Sequence, residues 1–143
     1  MKIGRRIAFD YGSVRIGVAA SDPTGLIASP VATLLQADPD LPTRLKNLID
    51  EYEPIYIVIG EPRHLSGNES ATQVSVKAFS ELLATFTSIP IHLIDERMST
   101  VNAARRLRDA GVSARDSKDK IDAMAAVGIL ESALARERLA GDL

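Results

Sequence analysis

The sequence has no cysteine, no tryptophan, two histidines and only six aromatic residues among its 143 positions. The lack of cysteine excludes disulfides, thiolate nucleophiles and zinc sites built on cysteine, and it is compatible with a reducing compartment. The scarcity of aromatic rings argues against base stacking as the main mode of any nucleic-acid recognition. Carboxylates and basic side chains are therefore left as the main carriers of chemistry.

Long apolar runs and common nucleotide-binding loops are also missing. No run approaches the ~20 residues needed to span a bilayer, and the N-terminus carries no long apolar signal segment. Neither a Gly-x-Gly-x-x-Gly nor a Walker-type loop occurs, which argues against dinucleotide and P-loop chemistry. The 143-residue length and 45% apolar content predict one globular domain, residues 1–143.

The net charge of −2 does not favour nucleic acid as a partner, but the charge is unevenly distributed. Residues 97–120 hold seven basic and three acidic side chains, a local excess of +4. A basic segment of this kind can bind along the phosphate backbone of a nucleic acid. A solvated helix face followed by a mobile loop explains the same charges, so both interpretations stay open.

Apolar periodicity predicts a layered α/β fold. Three short strands come first, at residues 6–10, 14–21 and 26–35, with Pro30 marking a bulge or an edge position. The remaining elements are a helix at 39–53, a strand at 55–59, a helix from residue 70, a strand at 90–94, and helices at 99–111 and 121–138. The polar residues 112–120 are predicted to form a mobile loop. The order β-β-β-α-β-α-β-α-α predicts a mixed sheet of five strands with helices on both faces.

Three acidic residues border apolar stretches and are therefore expected at the rim of the core. Asp10 ends a predicted strand, Glu96 follows another, and Asp122 stands in the first turn of the predicted last helix. Carboxylates gathered at one rim are the ligands of a hard divalent cation such as Mg²⁺ or Mn²⁺. Each acid also has an ordinary structural interpretation, since Asp10 can bind turn amides and Asp122 suits the first turn of a helix.

The pair Asp95 and Glu96 leaves the identity of the middle ligand open. Adjacent residues of a strand point to opposite faces, so both acids can face one ion only if the strand ends there. We prefer Glu96, because its longer side chain reaches inward from the strand end. Arg97 either neutralises phosphate charge or pairs with Asp95.

The motifs that contain these acids resemble those of the YqgF/RuvX family of RNase H-like nucleases. The resemblance covers nearly the whole chain and rests on four segments in the family's order, residues 9–19, 58–62 with 66–67, 95–100 and 118–126. It implies an RNase H-like fold, a catalytic and metal-binding site formed by Asp10, Glu96 and Asp122, and processing of the 5′ end of pre-16S rRNA in the cytoplasm.

One residue departs from the family pattern. Glu61 occupies a position that is usually apolar in the family and at which related resolvases place a catalytic Glu. Glu61 is therefore either an additional site carboxylate or a solvent-facing loop acid.

The resulting hypothesis is a nuclease that uses two Mg²⁺ or Mn²⁺ ions, bridged by Asp10, on structured RNA or branched DNA. Arg15, Arg97, Lys118 and Lys120 are the candidates for backbone contacts, which bind phosphate without reading sequence. Two alternatives remain: a Holliday junction resolvase, and a non-catalytic nucleic-acid-binding or ribosome-assembly module. The sequence does not distinguish a monomer from a homodimer.

Overall fold

The structure, a computed structural model, describes residues 2–61, 71–95 and 114–143; for residues 61, 71, 72 and 114–121 only the backbone is described. Eight elements lie in these ranges: β1 (Arg6–Tyr11), β2 (Arg15–Ser21), β3 (Ala28–Leu35), α1 (Leu41–Tyr52), β4 (Tyr56–Glu61), α2 (Ala71–Ala84), β5 (Ile91–Asp95) and α3 (Ala114–Ala140). No helix within the described ranges is long and apolar enough to cross a membrane.

The five described strands form one mixed sheet in the order β3-β2-β1-β4-β5. The first three strands are antiparallel neighbours, whereas β4 pairs parallel to β1, and β5 parallel to β4. The carboxyl ends of β1, β4 and β5 therefore lie at one edge of the sheet. The predicted mixed five-stranded sheet is confirmed, and β1 is its central strand.

Strand β3 carries the irregularity expected at Pro30. The register between β2 and β3 shifts between Val18 and Ala19, where Ala19 pairs with Pro30. Strand β3 is also an outer strand of the described sheet. A proline has no amide hydrogen, so it is tolerated at such positions.

Helices cover both faces of the sheet, as predicted. One core joins β1, β2 and β4 to α1 and α2 through residues such as Phe9, Leu45 and Phe79. The other joins the opposite face to α3 and is rich in alanine, with Ala8 and Ala126 fully buried. Small side chains on both surfaces allow a helix to approach a sheet closely.

The prediction for residues 112–120 was wrong in part, because α3 begins at Ala114. The segment is polar but contains no glycine or proline after residue 113, and alanine, arginine and lysine favour helix. A polar composition alone therefore does not distinguish a loop from an exposed helix. The predicted helix at 99–111 lies outside the described residues.

A buried ionic network fixes the C-terminal part of α3 to the start of β1. Arg6, with a fully buried side chain, donates from Nε and Nη2 to Glu137 at 3.2 and 2.8 Å. The Tyr56 hydroxyl donates to the same carboxylate at 2.8 Å. Burial acts to raise the pKa of Glu137, but the hydrogen bonds from Arg6 and Tyr56 outweigh it, and the net pKa is lowered.

The pKa of Tyr56 is shifted in the opposite direction, upward. Its burial, together with the hydrogen bond to the Glu137 carboxylate, raises the pKa of the Tyr56 phenol well above its usual range. The phenol therefore stays protonated and remains a hydrogen-bond donor to Glu137 throughout the physiological pH range. The sequence patterns gave no sign of this network, because its members are as much as 131 residues apart.

Candidate active site

Asp10 lies near the carboxyl end of the central strand. Its Cα is paired with that of Gly17 on β2. Ala8 belongs to the core under α3, whereas Phe9 belongs to the opposite core. Because side chains alternate along a strand, Asp10 lies on the α3 side of the sheet.

Gly17 pairs with Asp10 in the sheet and also lies against the backbone of Asp122. A Cβ atom built on Gly17 would overlap the main-chain carbonyl of Asp122 and lie 2.9 Å from the Ala123 amide nitrogen. The backbone of α3 thus rests directly on β2 at the residue that pairs with Asp10. Only glycine permits this approach, and it brings Asp10 and Asp122 to neighbouring positions on one face.

Asp122 is the ninth residue of α3 and does not stand in its first turn. The expectation of a helix-opening acid was wrong, because α3 starts earlier than predicted, and a favourable macrodipole no longer accounts for this residue. Its carboxylate accepts a hydrogen bond from Arg15 Nε, with 2.6 Å between Nε and Oδ2. The Arg15 and Asp122 side chains keep 30% and 23% exposure, so the pair is open to solvent.

Arg15 is held near Asp122 by the turn between β1 and β2. The Gly12 amide donates to the Arg15 carbonyl at 2.9 Å, and a Cβ on Gly12 would lie 2.7 Å from that oxygen. The Gln36 side chain bridges the Gly12 carbonyl and the Tyr11 hydroxyl. Gly12 thus occupies a tight turn in which a side chain would collide with the Arg15 carbonyl, and Gln36 is a residue of this turn region that sequence reasoning missed.

The strand register separates Asp95 from Asp10. Asp95 ends β5 and pairs with Glu61 at the end of β4. Ile94 packs in the core under α3, so alternation places the next residue, Asp95, on the opposite face. Asp95 and Asp10 therefore lie on opposite faces of the sheet.

Several predicted site residues have no described side chain. Glu96 and Arg97 lie outside the described residues. Glu61 lies on β4, and Lys118 and Lys120 lie on α3. Only the backbone of these three residues is described. Of the predicted set, the structure thus brings together Asp10, Asp122 and Arg15.

The donor chemistry of this cluster suits a hard cation. Two carboxylates lie on one face, and one of them already binds an intramolecular cation, the Arg15 guanidinium. Among the described residues no three His, Asp or Glu side chains are grouped closely enough to hold a metal ion. The predicted third carboxylate, Glu96, is not among those residues.

Gly17 is a residue of the candidate site that sequence reasoning did not single out. In the sequence, Gly17 is one of eleven residues of the first motif, residues 9–19, and nothing distinguishes it from the others. The signal that identifies it is its position opposite Asp10 in the strand pairing together with its contact with α3, and both depend on the tertiary structure.

Sequence comparisons agree along nearly the whole chain. A family model described as "RuvX: Holliday junction resolvase" matches residues 4–136. A relative from Streptomyces avermitilis, described as "Putative pre-16S rRNA nuclease", is 48% identical over 143 residues, covering 99% of this chain and 92% of the relative. A relative from Streptomyces coelicolor with the same description is 46% identical and covers 99% of this chain and 86% of its own length.

Solved structures show the same fold at low sequence identity. Thermus thermophilus RuvC in complex with a Holliday junction substrate superposes with a TM-score of 0.62 at 11% identity, and 96% of each chain is covered. Another RuvC structure from this organism gives 0.58 at 14% identity, covering 94% of this chain and 96% of RuvC. The likeness shows that the sheet and helices form an RNase H-like fold.

Proposed function

Because this chain belongs to the RuvX family, we propose that it is a cytoplasmic, single-domain endonuclease that depends on a divalent metal and processes the 5′ end of pre-16S rRNA. Relatives that are 48% and 46% identical carry the description of a pre-16S rRNA nuclease. The observation that carries the proposal is the contact between Gly17 and Asp122, which sets the backbone of Asp122 against the strand residue that pairs with Asp10.

Asp10, Glu96 and Asp122 are the proposed catalytic residues and metal ligands. Carboxylate oxygens are the ligands that Mg²⁺ and Mn²⁺ prefer. When bound, a pair of such ions activates water and stabilises the charge on the leaving oxygen during phosphodiester hydrolysis. Glu96 is favoured over its neighbour because Asp95 lies on the face away from Asp10.

The remaining residues position the substrate and the carboxylates. Gly17 and the alanine-rich core fix α3, and therefore Asp122, against the sheet. Arg15, Arg97, Lys118 and Lys120 are proposed to bind backbone phosphates. Such contacts orient the nucleic acid without reading its sequence, so the choice of cleavage site is expected to depend on RNA structure.

A Holliday junction resolvase is the second candidate function. It is favoured by the description of the family model and by the RuvC-like fold. Two symmetric cuts in a four-way junction call for two active sites, so a resolvase is expected to be a homodimer. A monomer suffices for cleavage of an rRNA precursor.

The test is cleavage of a 5′-extended pre-16S rRNA beside a four-way DNA junction, with Mn²⁺ and with excess chelator. We expect metal-dependent shortening of the RNA and no resolution of the junction. Paired symmetric nicks in the junction without RNA processing would reject the rRNA proposal in favour of the resolvase.

Asp10→Asn is the control variant for both substrates. It removes one charge without changing side-chain size, and we expect a loss of cleavage of about a hundredfold or more with the fold unchanged, as for other preorganised groups that stabilise transition-state charge. Equal cleavage by the variant would point to a contaminating nuclease. Nucleic-acid binding without cleavage by the wild type would favour the assembly-module alternative.

A further inference from the structure

The Arg15–Asp122 pair is a cation–carboxylate contact inside the proposed metal site. Arg15 Nε lies 2.6 Å from Asp122 Oδ2, although the two residues are 107 positions apart in the sequence. The predicted role of Arg15 was to bind phosphate, yet its guanidinium is placed on a proposed metal ligand. The Arg15 side chain thus has two possible partners, the substrate phosphate and the Asp122 carboxylate.

The two partners differ in how firmly they are held. Asp122 belongs to α3, whose backbone rests on Gly17 of β2. Arg15 opens β2 and reaches the carboxylate with a long side chain that is 30% exposed. An arginine head group can move far by changing rotamers, whereas the short Asp122 side chain keeps its carboxylate close to the fixed helix backbone. The guanidinium is therefore the exchangeable member of the pair.

We propose that Arg15 is the resident counter-cation of Asp122 and that Arg15 and a divalent metal ion bind this carboxylate antagonistically. The inference rests on the proposed function, since it concerns the same site. A guanidinium hydrogen-bonded to a metal ligand withdraws negative charge from it and repels a divalent cation nearby. Linkage requires the reverse as well, so metal binding weakens the Arg15–Asp122 contact.

This antagonism gives Arg15 two consecutive positions. Without metal, it neutralises a carboxylate that otherwise repels its acidic neighbour. With metal bound, the guanidinium is released at the rim of the site, where the substrate phosphate arrives and where planar two-donor binding of phosphate suits arginine. Arg15 is thus a positioning residue that sets metal affinity before it contacts the substrate.

The experiment is calorimetric titration of Mn²⁺ into wild-type protein and Arg15→Gln at pH 7. We expect the variant to bind Mn²⁺ about tenfold more tightly, within the usual range of coupling between linked sites. Arg15→Lys keeps the positive charge and should bind close to wild type. Mn²⁺ should also raise the melting temperature of Arg15→Gln more than that of wild type, because tighter binding stabilises the folded state further.

Arg44→Gln is the matched control. Arg44 Nε lies 2.6 Å from Asp38 Oδ2, the same atoms and distance as in the Arg15–Asp122 pair, but on α1 and away from the site. We expect its Mn²⁺ affinity to equal that of wild type. A similar gain in both Gln variants would indicate a general charge effect and would overturn the proposal.

The outcomes separate this inference from the proposed function. If wild type binds Mn²⁺ and Arg15→Gln binds it equally or more weakly, the antagonism is wrong while the metal site stands. If neither protein binds Mn²⁺, the metal-dependent function fails and the antagonism fails with it. Should Arg15→Gln not fold, Arg15→Met, which keeps the aliphatic stem, replaces it in the same titration.

Discussion

Among the described residues, two arginine–carboxylate pairs connect α3 to the sheet, and they differ chiefly in exposure. Arg15 of β2 binds Asp122, and Arg6 of β1 binds Glu137, fifteen residues or about 22 Å further along the helix. The first pair has side chains that are 30% and 23% exposed, whereas in the second they are 0% and 4% exposed.

The surroundings decide what each pair can do. Arg6 also donates to the carbonyls of Lys2 and Gly4, and its guanidinium lies 5.7 Å from the centre of the Tyr56 ring. Since this network is closed to solvent and fully hydrogen-bonded, removing one partner leaves a buried charge uncompensated. The open pair has no such constraint, because water can replace either partner. Similar chemistry therefore fixes the fold near the C-terminal end of α3 and leaves a carboxylate accessible fifteen residues earlier in the same helix.

The largest stability effect is expected at the buried pair. Glu137→Gln removes the charge that compensates Arg6, and breaking such a pair costs about 3–5 kcal/mol of the free energy of unfolding. Urea denaturation measures the loss, and cleavage per folded molecule should be unchanged. A loss below about 1 kcal/mol would show that burial does not distinguish the two pairs.

Gly17→Ala tests the contact that holds the open pair in place. The added methyl group meets the Asp122 backbone, which cannot rotate away, so α3 must shift. Overpacking of this kind costs about 1–3 kcal/mol, and we expect cleavage to fall as well because Asp122 moves relative to Asp10. Denaturation and cleavage assays measure both effects. Asp10→Asn, which alters charge without altering packing, should lose cleavage alone, and retained cleavage in Gly17→Ala would contradict the proposed geometry.

Acid should weaken the buried pair. The folded-state pKa of Glu137 is lowered from its ordinary value of 4.5, so the stability it contributes is present above that pH and is lost as pH falls through the folded pKa. Unfolding measured from pH 7 to pH 3 should show this loss, with a shallower acid slope in Glu137→Gln.

The acid slope should persist in part in that variant, because other carboxylates behave similarly. Hydrogen bonds from the Ile27 amide and the Thr24 hydroxyl are the main reasons that the pKa of Asp22 is lowered to about 2. The pKa of Asp38 is also lowered, by the Asp40 amide and Arg44. An identical slope in wild type and Glu137→Gln would assign the acid sensitivity to carboxylates other than Glu137.

The smallest stability effect is expected at the open pair itself. Asp122→Asn breaks a partly exposed contact, and such pairs contribute less than about 1 kcal/mol. The melting temperature should barely change, while metal-dependent cleavage should be lost. A destabilisation comparable to that of Glu137→Gln would mean that both pairs are structural.

Much of the fold was predictable from local patterns. The apolar runs of β1, β4 and β5 and the periodicity of α1 each reflect a short segment that buries its own apolar residues. The end of α1 was also predictable, since Pro54 follows it. In the structure, Glu53 takes a left-handed conformation that closes the helix. The start of α3 was not, because a polar helix and a polar loop differ in propensity more than in composition.

For the candidate site, the available residue types and the acids that border the strands can be read from the sequence alone. Three other features depend on how the elements pack: the pairing of Arg15 with Asp122, the contact of Gly17 with α3 and the burial of Arg6 with Glu137. The pairs span 107 and 131 residues. Local periodicity carries no information about such distances, because which side chains meet depends on how strands and helices pack after they have formed.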